Sequence, residues 1–343
     1  MAAQDDPDLT TLLVLRRKRT TSMARVRALR ARGLDVRIVS NWSHARTIWE
    51  LRRIIRDWQA DVVFAHGFSD HIWGRKAAIA ENVPDIFHVE HNSRERYTKR
   101  RLRQALALMP RTRASIGVSE GVRRSLIERG YPEEKCISIP NGVSLDEFPQ
   151  SLLPGSWADR SPSIIMASRF GRQKDHATLL RALAALRARG VCPKLYLAGG
   201  GKRWRKEKAR WLTRSLDLQD QVEFLGNVAD LPQRLATTQI FVLSTHWEGM
   251  PLALIEAMAA GCACVASDVI GVREVVQHQR TGLLVEHENS LALADALHTL
   301  LVDSATAERL GHAAREYALA SYDRAQMWRR YRDLLVAIDG TSQ

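Results

Sequence analysis

Short apolar runs alternate with amphipathic stretches along nearly the whole chain, and few folds tolerate that rhythm. Segments 11–15, 35–40, 61–65, 85–90 and 114–119 are brief and rich in Val, Ile and Leu, as strands are. Between them lie helical stretches such as 45–59, where Ile48, Leu51, Ile55 and Trp58 recur at helical spacing. Segments 163–167, 194–198, 222–225, 240–244, 263–267 and 282–285 repeat the strand pattern after a Pro-, Gly- and Ser-rich stretch at 139–157. Strand–helix alternation yields parallel sheets covered by helices on both faces. With 343 residues the chain suits two domains. The expected fold class is therefore α/β: two doubly wound parallel-sheet domains, 1–150 and 151–321, with a central cleft between them. The stretch 323–338 reads as a final helix with Met327, Tyr331, Leu334, Leu335 and Ile338 on one stripe.

Composition narrows the function classes. Hydrophobic residues at 45% and charged residues at 26% are those of a globular chain. No apolar run approaches the ~18 residues of a membrane span, and the acidic opening 1–15 lacks a secretory pattern, so a cytoplasmic protein is expected. Cys136, Cys192, Cys262 and Cys264 form no CxxC pair and read as small core residues, with no zinc or disulfide framework. The net charge of +13 is uneven: residues 1–150 hold 27 Lys and Arg against 18 Asp and Glu, the remainder 24 against 20. Clusters at Arg16–Arg19, at Arg25, Arg27, Arg30 and Arg32, and from Arg94 to Arg103 carry the excess, with Leu102, Leu106 and Met109 as an apolar edge. That combination suits an anionic membrane surface, or simply solvated helices. No nucleic-acid motif accompanies the charge.

Ligands of doubly wound sheets bind beyond the carboxyl ends of the strands, and four features of the second half stand there. Arg169 and Lys174 place two cations between a strand end and a helix start, where phosphate is favoured. Gly199, Gly200 and Gly201 follow the next strand and either admit a bulky ligand or make a tight turn. Leu225, Gly226 and Asn227 end another strand, where the backbone can meet a nucleobase edge. Fourth is the run from Thr245 to Gly261, with Pro251 suited to a first helical turn and Gly261 to a stop. Glu256 falls inside that apolar helix and needs either a partner such as ribose hydroxyls or an exposed face.

These features together resemble glycosyltransferase family 4, the retaining group 1 glycosyltransferases. Glu248 and Glu256 match its E-x7-E motif, within Glu-Gly-Met-Pro-Leu-Ala-Leu-Ile-Glu-Ala-Met-Ala-Ala-Gly. Ser168-Arg169 with Lys174 matches its basic motif, while Pro140-Asn-Gly-Val and Gly271-Val-Arg-Glu-Val match flanking segments. The resemblance implies the GT-B fold, two facing Rossmann-like domains, with the helix at 322–340 packing back on the first. It implies that Arg169 and Lys174 hold the donor diphosphate and that Glu256 binds the ribose. Glu248 and the backbone of Gly249, Met250, Pro251 and Leu252 contact the sugar and β-phosphate. Gly200 and Asn227 join the substrate-binding set, and His91, or else His88, is the histidine near the donor sugar. Arg16-Arg-Lys-Arg stands where the family usually carries a glycine-rich turn.

The expected activity is hexose transfer from a nucleoside diphosphate sugar to a glycan or lipid-linked acceptor, with no cofactor and no metal. A non-catalytic nucleotide-sugar-binding scaffold is the alternative. A nicotinamide enzyme would need G-x-G-x-x-G after the first strand, which Leu15-Arg-Arg-Lys-Arg lacks.

Overall fold

The computed structural model describes residues 8–18, 21–67, 70–94 and 97–339, with side chains through Val336 in the last helix. Arg19, Arg96 and the side chain of Ile338 lie outside the described residues. Two compact units emerge: residues 1–139 with 328–343, and residues 140–327.

The first unit runs β1 (Leu12–Arg16), α1 (Met23–Ala31), β2 (Asp35–Val39), α2 (His44–Trp58), β3 (Val62–His66), α3 (Asp70–Ala80), β4 (Asp85–Glu90), α4 (Lys99–Ala107), β5 (Ala114–Gly117), α5 (Glu120–Ile127) and β6 (Cys136–Ser138). All strand pairs are parallel, as crossover helices require. Instead of one continuous sheet, β1 pairs only with β2, and β3-β4-β5-β6 form a separate ladder among the described residues. β1 is half-buried along its whole length, whereas every residue of β4 is buried. A hydroxyl at the entry of α1, α2, α4 and α5 fixes where these helices begin. Ser43 accepts from the Arg46 amide at 3.1 Å and Ser119 from the Val122 amide at 3.2 Å.

The second unit runs β7 (Ser161–Ala167), α6 (His176–Ala188), β8 (Leu195–Ala198), α7 (Arg203–Ser215), β9 (Val222–Gly226), α8 (Leu231–Thr237), β10 (Thr238–Leu243), α9 (Leu252–Ala259), β11 (Ala263–Ser267), β12 (Leu283–Val285), α10 (Ser290–Val302) and α11 (Ser304–Ser321). Its six-stranded parallel sheet has the order β12-β11-β10-β7-β8-β9. The chain starts at the centre, winds outward to β9, then returns to the other side of β7. Winding therefore reverses between β7 and β10, and ligands of such sheets bind beyond the carboxyl ends at that reversal. Ile164, Ile165 and Met166 of β7 and Ile240 to Leu243 of β10 are fully buried, so these two strands anchor the site rigidly.

A last helix, α12 (Arg324–Asp339), begins in the second unit and ends in the first. Within the first unit its Tyr331 packs edge-on against Phe64 of β3, with ring centres 5.6 Å apart.

Candidate active site

At the reversal point the segment leaving β7 is laced to the segment leaving β10. The Asp175 amide donates to the Ser244 carbonyl at 3.0 Å, and the His246 amide to the Gln173 carbonyl at 2.8 Å. Lys174 and Thr245 consequently face each other as an antiparallel bridge. That lacing aims Lys174 at Glu248, and the ammonium donates to Glu248 Oε1 in a buried ion pair. Gln173 Nε2 donates to Glu248 Oε2 at 2.8 Å, and the Thr245 hydroxyl donates to Oε1 at 2.9 Å. Glu248 is only 5% exposed, so these partners offset a desolvation cost that an isolated carboxylate would not survive.

Beside this pair, Asp175 caps α6 by accepting from the Thr178 amide at 3.1 Å. His176 opens the helix, stacked on Phe170 with ring centres 4.2 Å apart. Burial, helped by the neighbouring Lys174 cation, pushes its imidazole down to about 4, so it stays neutral at physiological pH. Arg169 is exposed at the end of β7. The positive end of α6, Lys174 and Arg169 thus belong to one short segment.

The glycine run has a packing explanation of its own. Segment 199–201 lies alongside 168–170, with the Phe170 amide donating to the Gly200 carbonyl at 2.7 Å. A Cβ on Gly199 would stand 2.0 Å from the Ser168 carbonyl oxygen, and Gly199 has φ +138. At Gly200 a Cβ would meet the Asn227 amide at 2.6 Å, which brings Gly200 and Asn227 together. Chain-to-chain approach therefore requires these glycines before any ligand is considered.

Pro251 is the N-cap of α9, and the helix ends before Gly261 at φ +74, a left-handed stop. Met250 is buried, its sulfur accepting from the Asn141 amide at 3.0 Å, while Leu252 is exposed. The backbone of Gly249 is braced by Gly271, where a Cβ would stand 2.3 Å from the Gly249 carbonyl oxygen. Glu256 is half-buried on α9. Burial, with the like charge of Glu147, raises its carboxyl to about 7. So Lys174 and Glu248 come into contact, while Glu256 faces an anion.

His91 belongs to the first unit. It follows β4 and is exposed, and its Nε2 lies 3.0 Å from Nδ1 of His66 at the end of β3. Surrounding protein lowers His91 and brings His66 down to about 4. His88, by contrast, is fully buried, stacked on His71 with ring centres 3.9 Å apart, and cannot reach a ligand. Between them Glu90 accepts from the His91 amide at 2.9 Å and from the Tyr97 hydroxyl at 3.3 Å, tying the His91 loop to a buried polar cluster. Arg75 closes that cluster, fully buried and bonded to the Thr112 hydroxyl at 2.7 Å; burial pushes it down to about 10.

Sequence reasoning missed His66, Gln173, Thr245 and Glu147. His66 could have been found from its place at the end of an apolar strand, since β3 and β4 are adjacent and His66 pairs in register with Val89. At the end of β1, Arg16 donates to Asp70 at 2.7 Å and Lys18 also pairs with it, so local charge occupies two of the cations there. Cys192 is exposed, which corrects its expected place in a core: it sits in the connection after α6, outside either sheet face.

The fold and site define a class first: two Rossmann-like units with a buried Lys–Glu pair at the sheet's reversal point, the GT-B architecture. Residues 154–317 match the family described as Glycosyl transferases group 1, and residues 40–147 match Glycosyltransferase Family 4. The chain belongs to this family of group 1, family 4 glycosyltransferases. It is 31% identical over 222 residues to the GDP-mannose-dependent alpha-(1-6)-phosphatidylinositol monomannoside mannosyltransferase of Mycobacterium tuberculosis, a match covering 60% of this chain and 57% of that protein. Against the UDP-Gal:alpha-D-GlcNAc-diphosphoundecaprenol alpha-1,3-galactosyltransferase of Escherichia coli it is 26% identical over 272 residues, 74% of this chain and 69% of that one. The matched part thus spans little more than half of the mannosyltransferase's length. The solved structure of Anabaena HepE in complex with UDP-glucose shares the fold, with TM-score 0.83, 21% identity and coverage of 95% of this chain and 91% of that one.

Proposed function

We propose that this protein is a retaining glycosyltransferase that moves a hexose from a nucleoside diphosphate sugar to a hydroxyl of a glycan or lipid-linked acceptor. Its setting is lipopolysaccharide or other cell-surface polysaccharide synthesis, with the protein peripheral on the inner face of the cell membrane. The buried Lys174–Glu248 pair at the point where the sheet reverses carries this reading. Donors named for the relatives, GDP-mannose and UDP-Gal, support the nucleoside diphosphate, and their phosphatidylinositol and diphosphoundecaprenol acceptors support the lipid.

Breaking the glycosidic bond builds negative charge on the departing diphosphate and positive charge on the sugar ring. Lys174, Arg169 and the start of α6 meet the first charge with fixed positive groups, so little reorganisation is needed at the moment of reaction. These cations take the charge-neutralising role without a metal. Glu248, held by Gln173 and Thr245, is rigid enough to orient the sugar. Glu256 accepts from the ribose hydroxyls. A leaving phosphate oxygen takes the acceptor proton on the same face, which accounts for retention without a separate base.

A donor panel scored by nucleotide release tests the reading. Lys174→Ala is expected to lower turnover by ~10²–10³, and Glu256→Ala to weaken donor binding. Near-normal turnover in both variants would overturn it.

A further inference from the structure

Helix α7 carries a surface that the donor site does not use. Trp204 and Trp211 are 56% and 61% exposed, although large aromatic rings normally find cover. Seven residues apart, they share one face, separated by about 10 Å along the axis. Arg205 lies over the Trp204 ring, 4.3 Å from its centre, on the flank toward the protein. Lys208 and Arg214 are exposed on the same side, with Lys202 and Arg203 at the entrance, and none of the four forms an ion pair among the described residues. A single acid, Glu207, interrupts the six cations of Arg203–Ser215 and pairs with Arg210.

Other basic stretches differ in the feature that matters. Trp49 of α2 is also exposed, but Arg46, Arg52, Arg53 and Arg56 around it are all engaged by Glu50, Glu81 and Asp57. On α4, Leu102 and Leu106 pack against the core, and the one apolar side chain left outside is the small Ala107. Only α7, among the described helices, combines unscreened cations with outward indoles.

We propose that the outer face of α7, through Trp204, Trp211, Lys208 and Arg214, seats this protein on an anionic lipid surface. Indoles favour the headgroup level of a bilayer, and cations beside them meet lipid phosphates. A protein partner is a poorer match, because lysine is depleted at protein interfaces and Lys202, Lys206 and Lys208 crowd this helix. The helix starts two residues after Gly201, whose backbone bridges to Phe170. Docking along α7 therefore presents the rim of the donor site to the leaflet. This deepens the peripheral-membrane reading above, yet lipid binding is measured apart from sugar transfer.

Flotation of the full chain with vesicles of phosphatidylglycerol and phosphatidylcholine, against phosphatidylcholine alone, tests it. Wild type is expected to float with the anionic vesicles only. Trp204→Ala with Trp211→Ala, and separately Lys208→Glu with Arg214→Glu, are expected to lose about tenfold or more in vesicle affinity. Both pairs should keep nucleotide release in detergent solution, while Trp42→Ala with Trp49→Ala should float like wild type. Undiminished flotation of both α7 variants, loss in the Trp42/Trp49 variant alone, equal binding to neutral vesicles, or binding of single-stranded oligonucleotide in place of vesicles would each overturn the proposal. Flotation as expected but no nucleotide release from any donor would leave docking standing and remove the proposed function.

Discussion

Glu256 shows at the scale of one residue how burial becomes a measurable pH response. Its carboxyl is raised from an ordinary 4.5 to about 7 by burial and by Glu147. Between those values the folded chain keeps a proton that the unfolded chain has lost. Unfolding then releases a proton, so stability falls as pH rises through this window, by at most about 1.4 kcal/mol per pH unit. Melting of the ligand-free protein should therefore decline from pH about 5 to 7 more steeply in wild type than in Glu256→Gln; parallel slopes would contradict it. If the ribose hydroxyls donate to this carboxylate, UDP should bind more tightly as pH climbs past about 7, and calorimetry on the same two proteins reads that. The identity of these residues was legible in the sequence, because Glu248, Glu256 and Lys174 fall at strand ends and on the motif helix. Their partners were not. Gln173 and Thr245 look like ordinary loop residues until the main chain laces the two loops together.

Among elements, the loop after β10 depends on a neighbour far along the chain. Gly271 sits at φ +83 against the Gly249 carbonyl, so any side chain there must push the Glu248–Gly249 backbone away. Gly271→Ala is expected to cost about 1–3 kcal/mol of stability and to weaken nucleotide binding. Gly155→Ala, at a glycine with open space around it, should change neither thermal melting nor binding. Most strands could be read directly, since buried parallel strands are continuous apolar runs. β6 could not, because Cys136–Ser138 is three residues long and gains its identity from pairing with β5. Nor did periodicity reveal that β1 and β2 pair apart from β3, since sequence pattern reports which residues are apolar and not which strand edges meet.

For the whole molecule, the division into two units makes the nucleotide's location testable without assuming any role for single side chains. Hydrogen exchange with saturating UDP should protect 168–176, 199–203 and 244–256, all within the 140–327 unit and all beyond the carboxyl ends of its strands. Protection confined to residues 8–139 would contradict the assigned site. That the chain holds two Rossmann-like units was legible from alternation alone. Which unit contains 140–150 was not, because the turn-rich stretch carries no periodicity; tertiary contacts such as Asn141 to Met250 decide it.

One consequence of the Lys174–Glu248 contact concerns what happens after the reaction. An ammonium that already owns a resident counter-ion offers stray anions little reward, so chloride or inorganic phosphate should compete feebly with the nucleotide there. In the proposed reaction the same half-neutralised cation faces the spent diphosphate, which should leave more readily than it would from an unpaired lysine.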